Sequence, residues 1–91
     1  MYMKIVDDNL VIGGRETYEQ RGLLKHMGFR FKADSKVWVQ WMRENLVNYV
    51  VAMLYHNHVI CSIAELPDEV VRAIKPLSEE DLRIYRKGLF S

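Results

Sequence analysis

Residues 28–41 constrain the fold most, because they combine a helix stop, two alternating runs and a turn. The segment reads Gly-Phe-Arg-Phe-Lys-Ala-Asp-Ser-Lys-Val-Trp-Val-Gln-Trp. Aromatic and basic residues alternate before the polar Ala-Asp-Ser-Lys turn, and apolar residues alternate after it, which predicts a β-hairpin over 29–41. We expect one of the two tryptophans, Trp38 or Trp41, in the core and the other partly exposed. The turn length that decides between them cannot be read from the sequence.

Two short strands and a helix are predicted before this hairpin. Apolar runs on either side of Asp7-Asp8-Asn9 indicate an N-terminal hairpin, with a single bent strand as the alternative. Gly13-Gly14 allows a sharp exit into a helix over about 16–27, and Gly28 is the residue type that ends helices. The Gly-Gly turn lacks the spacing of a nucleotide-binding loop, so nucleotide hydrolysis is not expected.

The predicted helix over 16–27 has an apolar side and a basic side. Tyr18 falls on or near its apolar stripe, and Gly22 gives room for another element to approach closely. Arg21 and Lys25 are i,i+4 neighbours, so their like charges lie on the same face of the helix, and this face is expected to point away from the core. This face is therefore a candidate surface for an anionic partner.

The second half of the chain predicts helices at about 44–55, 67–75 and 79–87. Residues 44–55 carry apolar side chains at helical spacing but almost all round, and their valines leave a strand as the alternative. Residues 57–64 are typical of an extended or irregular link. Pro67 at a first helical position and a Ser-x-x-Asp capping pattern from Ser78 mark the starts of the last two helices.

These elements predict an α+β fold. A small antiparallel sheet is formed by the N-terminal strand or strands and the hairpin over 29–41, and the four helices pack around it. The 91 residues are enough for one domain and too few for two. Within the single domain over 1–91 we expect a βαββ core unit over 10–41 and a C-terminal helical extension over 65–91.

Composition narrows the class of protein. Hydrophobic residues make up 49% of the chain and charged residues 27%, which is ordinary for a soluble globular protein. The longest nearly apolar run, 46–55, has half the length that a bilayer span requires, so no membrane partner is expected. The one cysteine, Cys61, cannot form an internal disulfide, which fits a reducing, cytoplasmic location.

Positive charge is concentrated in one part of the chain. The net charge is only +1, but residues 15–43 carry seven Lys and Arg against three Asp and Glu. A local basic patch, rather than the overall charge, steers a protein onto phosphate. The competing interpretation is a solvated charged face over an aromatic core.

Several of these residues form a pattern that resembles a known domain family. They are Thr17-Tyr18, Arg21, Leu24-Lys25, Gly28-Phe29-Arg30-Phe31, Asp34, Lys36 and Trp38-Val39. The pattern resembles a small βαββ domain found in phage, plasmid and DNA-replication-type proteins, and is more distantly similar to the HARP domain of annealing helicases. It covers about a quarter of the chain, and Phe31 stands where the family often has Trp. The resemblance implies nucleic-acid binding as a class and no catalytic residues.

We therefore expect a non-catalytic nucleic-acid-binding protein or module. Its partner would be DNA or RNA, with single-stranded or branched forms favoured, because aromatic side chains stack on bases for about 1–3 kcal/mol each. The predicted binding residues are Arg15, Arg21, Lys25, Arg30, Lys32, Lys36 and Trp38. Contact with about four to six phosphates would make the affinity fall steeply with salt.

A protein-interaction module is the alternative function. The apolar segment 46–55 would then form a homodimer or dock on a larger partner, because an exposed stripe of that size is rarely left uncovered. His56, His58 and Cys61 have ligand types that suit zinc, but a fourth ligand is absent and we predict no metal and no cofactor. No spacing typical of a catalytic triad or carboxylate pair is present, so no catalysis is expected.

Overall fold

The computed structural model describes residues 1–74, which form a four-stranded antiparallel sheet with helices on one face. The strands are β1 (Tyr2–Val6), β2 (Asn9–Gly13), β3 (Arg30–Lys32) and β4 (Val37–Trp41). The helices are α1 (Arg21–His26), α2 (Leu46–His56) and α3 (Asp68–Arg72). The predicted α+β class is confirmed. The helix predicted over 79–87 lies outside the described residues.

The N-terminal segment is a hairpin and not a bent strand. Asp7 and Asp8 both have positive φ, 48° and 63°, as the type I′ turn of a two-residue hairpin requires. The Asn9 side chain donates a hydrogen bond to the Asp7 carbonyl at 3.1 Å, which stabilises the turn from within. β1 and β2 then pair from Val6 and Asn9 outward to Tyr2 and Gly13.

The four strands lie in the order β1-β2-β4-β3, so the two hairpins meet through β2 and β4. Residues opposite each other on neighbouring strands point to the same face. The inner face of the sheet carries Met3, Ile12 and Trp38, which are cross-strand partners and are buried together. α1 and α2 cover this face, because Leu24 and Leu54 belong to the same buried cluster.

The helix predicted over 16–27 is wrong in its first half. Residues 15–17 form a single 3₁₀ turn, and the α-helix begins only at Arg21. The backbone before it follows i→i+3 hydrogen bonds, such as Thr17 N to the Gly14 carbonyl at 3.2 Å. The Thr17 hydroxyl also donates to the Gly14 carbonyl at 2.7 Å. This local side-chain bond stabilises the tight turn over a regular helix.

Residues 46–56 form a helix and not a strand. Five apolar side chains of α2 enter the core: Leu46, Val47, Val50, Val51 and Leu54. Their spacing is that of a helix face packed on a sheet. The chain turns into α2 at Asn45, whose φ of 64° is the left-handed conformation that Asn tolerates.

Residues 57–64 form an extended link that runs beside β1. Val59, Cys61 and Ile63 point into the core and Ile60 is exposed. A parallel bridge joins Ser62 to Tyr2, with Met3 N donating to the Ser62 carbonyl and Ser62 N to the Met1 carbonyl, each at 3.0 Å.

The predicted helix over 67–75 is present as the shorter α3. Pro67 precedes its first helical residue as the N-cap, rather than standing at the first helical position as predicted. Among residues 1–74, no helix is long and apolar enough to span a bilayer.

Candidate nucleic-acid interface

The face of the sheet opposite the helices is here called the open face. It follows from the strand register, because it collects the residues that alternate with the core positions. Its members are Tyr2, Lys4, Val6, Asn9, Val11, Arg30, Lys32, Val37, Val39 and Trp41. They line a shallow depression of about 740 Å³ together with Asp7, Phe31 and Ser35. The described part of this lining comes from strands and turns, and no helix contributes to it.

The middle of the open face is one row that crosses all four strands. Lys4 pairs with Val11, Val11 with Val39, and Val39 with Arg30. A cation therefore stands on each edge strand with two valines between them. Three strand spacings separate the two cations, which is about 14 Å between their backbones.

Aromatic rings stand at opposite corners of the open face. The Tyr2 ring lies over Gly13, its partner on β2, so closely that a Cβ at Gly13 would overlap it. The Lys4 ammonium lies 5.6 Å from the centre of this ring, within cation–π range. At the other corner Trp41 pairs with Asn9 and is 65% exposed.

The exposed tryptophan is Trp41, so the predicted binding role of Trp38 needs correction. Trp38 is only 5% exposed and packs in the core with its ring centre 5.2 Å from that of Phe31. The two tryptophans are three residues apart on one strand, and an odd separation places them on opposite faces. A base cannot stack on the Trp38 ring while the core is intact, whereas the Trp41 ring is accessible.

The cations of the open face are not neutralised by the described residues. The one ion pair within residues 1–74 joins the Met1 ammonium to Glu16 at 3.1 Å. Lys4, Arg30 and Lys32 have no carboxylate partner in that part of the chain. Asp7 is the acidic residue in the lining, so the face keeps an excess of positive charge.

The predicted basic residues lie on two sides of the sheet. Arg30 and Lys32 point to the open face, because their neighbour Phe31 pairs with the buried Trp38. Arg21 and Lys25 are exposed on α1, which packs on the inner face through Leu24. Their surface is therefore on the helical side of the molecule.

The remaining two predicted cations are exposed in turns. Arg15 lies in the 3₁₀ turn, and Lys36 ends the β3–β4 turn with φ 56°. Lys36 N donates to the Lys32 carbonyl at 2.7 Å, closing that turn. Neither side chain lines the depression on the open face.

Arg21 is held by a neighbour rather than presented freely. Its guanidinium lies 4.3 Å from the Tyr18 ring centre and donates to the Tyr18 carbonyl at 2.7 Å. Tyr18 is 69% exposed, so its predicted place on the apolar stripe is wrong. The 3₁₀ path before α1 rotates Tyr18 away from the core.

Sequence reasoning missed Lys4 and Tyr2 as members of the interface. Their signal was the alternation in β1, where Tyr2, Lys4 and Val6 share one face. That alternation shows which residues lie together, but the sequence does not show which face of the sheet α1 and α2 cover.

The described residues also include side chains of the types that could bind a metal or act as a nucleophile. No group of three metal-ligand side chains comes together within residues 1–74. Burial raises the pKa of the Cys61 thiol to about 12, and such a buried thiol is a poor nucleophile. The pKa of Glu16 lies below its ordinary value, because its carboxylate accepts a hydrogen bond from its own backbone N–H and another from the Met1 ammonium.

The apolar segment 46–55 is less suited to an interface than predicted. Most of its apolar side chains are in the core, and the large side chains that it leaves exposed are Tyr49 and Tyr55. The observation that motivated a protein-interaction module is thereby explained by packing within the chain.

Comparison of the chain with protein-family models, with curated proteins and with solved structures gave no match. The resemblance described above stays a prediction from the residues that carry it. Function is therefore argued from the site itself.

Proposed function

We propose that this protein binds single-stranded nucleic acid on the open face of its sheet and catalyses no reaction. The observation that carries the proposal is the row Lys4-Val11-Val39-Arg30, with cations at both edges and an apolar floor between them. Cations that track the backbone and faces that accept bases are the two parts of a single-strand site.

Each part of the open face has a role in this proposal. Lys4, Arg30 and Lys32 contact phosphates, and the exposed ring of Trp41 stacks on a base. A four-stranded sheet with exposed aromatic side chains that stack two or three bases is a known way of holding single strands. Stacking requires unpaired bases, which favours a single strand or the unpaired part of a branched molecule over a duplex.

A titration followed by fluorescence anisotropy tests the proposal. Labelled single-stranded, duplex and forked DNA and single-stranded RNA of one length are compared at about 50 and 200 mM salt. We expect single strands to bind more tightly than duplex. Three phosphate contacts predict a slope of log affinity against log salt of about −2, a loss of roughly twentyfold over this range.

The same titration can reject the proposal. Absence of salt-sensitive binding to every one of the four molecules would contradict it. Comparison of the DNA and RNA strands assigns the preferred sugar, since a 2′-hydroxyl contact is what distinguishes the two.

A further inference from the structure

A groove beside the open face continues past Trp41 onto the helical side. It has a volume of about 880 Å³ and runs between the end of α1, the end of β4 and the start of α2. Arg30 and Trp41 line both this groove and the open face, so the two surfaces are continuous. Any strand that leaves the open face at the Trp41 corner meets this groove next.

The groove has the same two components as the open face. Arg43 is exposed and lines the groove together with Arg30. Tyr49, exposed at the first turns of α2, supplies a second aromatic ring beyond Trp41. Glu44 is the acidic residue among the described lining, so the cations are in excess.

We infer that this groove is a second subsite for the same single strand, in which Arg43 contacts a phosphate and Tyr49 stacks on a base. The inference rests on the proposed function and extends it. A strand of about four nucleotides fills the open face, and one of about ten reaches into the groove, within the span of about 4–16 nucleotides that small single-strand-binding folds cover. Trp41 stands at the junction of the two subsites.

Oligonucleotide length separates the subsites experimentally. Anisotropy is measured with oligothymidylates of about four and about ten nucleotides, on the unchanged protein and on Arg43→Glu and Tyr49→Ala. We expect each variant to bind the longer strand about fivefold to tenfold more weakly and the shorter strand as the unchanged protein does. Arg72→Glu is the matched control, because Arg72 is exposed on α3 and lines neither surface.

Each outcome decides the question. A selective loss for the longer strand supports the second subsite. An equal loss at both lengths, or no loss at either, overturns it while leaving the open-face proposal standing. If the unchanged protein binds neither length, both proposals fall. Thermal unfolding of each variant, expected to be unchanged, identifies a loss that comes from damage to the fold.

Discussion

Two tryptophans on one strand have opposite surroundings in this protein. Trp38 packs beneath the sheet against the helices, and Trp41 stands on the open face. No local signal in the sequence distinguishes the two tryptophans, because both belong to the same alternating run, Val37–Trp41. The pairing of Ile12 with Trp38 decides the matter. That register comes from tertiary packing of β4 on β2, which the sequence does not fix locally.

Truncating each tryptophan should have opposite consequences. Trp38→Ala is expected to lower the free energy of unfolding by about 3–5 kcal/mol, the cost of emptying a packed aromatic site. Trp41→Ala should change that free energy by less than about 1 kcal/mol, as surface substitutions do. It should weaken single-strand binding by roughly fivefold to a hundredfold, because one stacked base is lost.

Urea unfolding and anisotropy measure the two effects on the same samples. Tyr55→Ala is the control for binding, since Tyr55 is an exposed aromatic residue on α2 that lines neither the open face nor the groove. If Trp41→Ala binds the single strand with unchanged affinity, the proposed stacking of a base on the Trp41 ring is contradicted.

The end of α1 depends on a backbone conformation that glycine adopts readily. Gly28 has φ 101°, and a Cβ there would lie 2.9 Å from the Gln40 side-chain oxygen. Gln40 in turn donates through Nε2 to the Met27 carbonyl at 3.0 Å, tying the helix end to β4. The predicted helix stop at Gly28 thus also serves the contact between helix and sheet.

Two alanine substitutions in and after α1 should have opposite signs. Gly28→Ala is expected to cost about 1–2 kcal/mol in strain at positive φ, and more if the Gln40 bond is displaced. Gly22→Ala should stabilise by about 0.5–1 kcal/mol, because a Cβ there meets no described atom within 4 Å and alanine favours helix. Within residues 1–74, no element makes the close approach that was predicted at Gly22.

Urea denaturation of the two variants measures both changes in the free energy of unfolding. An unchanged free energy of unfolding in Gly28→Ala would contradict the strain assigned to that position. A lower free energy of unfolding in Gly22→Ala would show that another part of the molecule packs against Gly22.

At the scale of elements, hairpins and helix α2 were predictable and the region before α1 was not. Alternation and turn residues identify both hairpins, and apolar spacing with length identifies α2. The 3₁₀ turn before α1 depends on the Thr17 hydroxyl bonding back to Gly14. A threonine within a helical pattern does not indicate whether its hydroxyl will close a 3₁₀ turn in this way or the α-helix will continue. The same limit applies to the extended link at 57–64, whose place beside β1 is set by long-range contacts.

At the scale of the whole molecule, the basic stretch 15–43 divides between two surfaces. The sequence located the positive charge correctly but treated it as one patch, since a one-dimensional count cannot show which side of a sheet each residue faces. Arg30 and Lys32 join Lys4 from a distant part of the chain on the open face. Arg21 and Lys25 stay with α1 on the helical side. Because each surface carries one pair of predicted cations, the two pairs can be reversed separately with the same change in net charge.

The comparison of two double charge reversals tests the central claim most directly. Arg30→Glu with Lys32→Glu and Arg21→Glu with Lys25→Glu change the net charge equally, so a general electrostatic effect would weaken binding equally. By anisotropy with one single strand, the open-face pair is expected to lose at least about tenfold more affinity and to reduce the salt slope by roughly 1 to 1.5. Equal losses, or a larger loss from the α1 pair, would contradict binding on the open face.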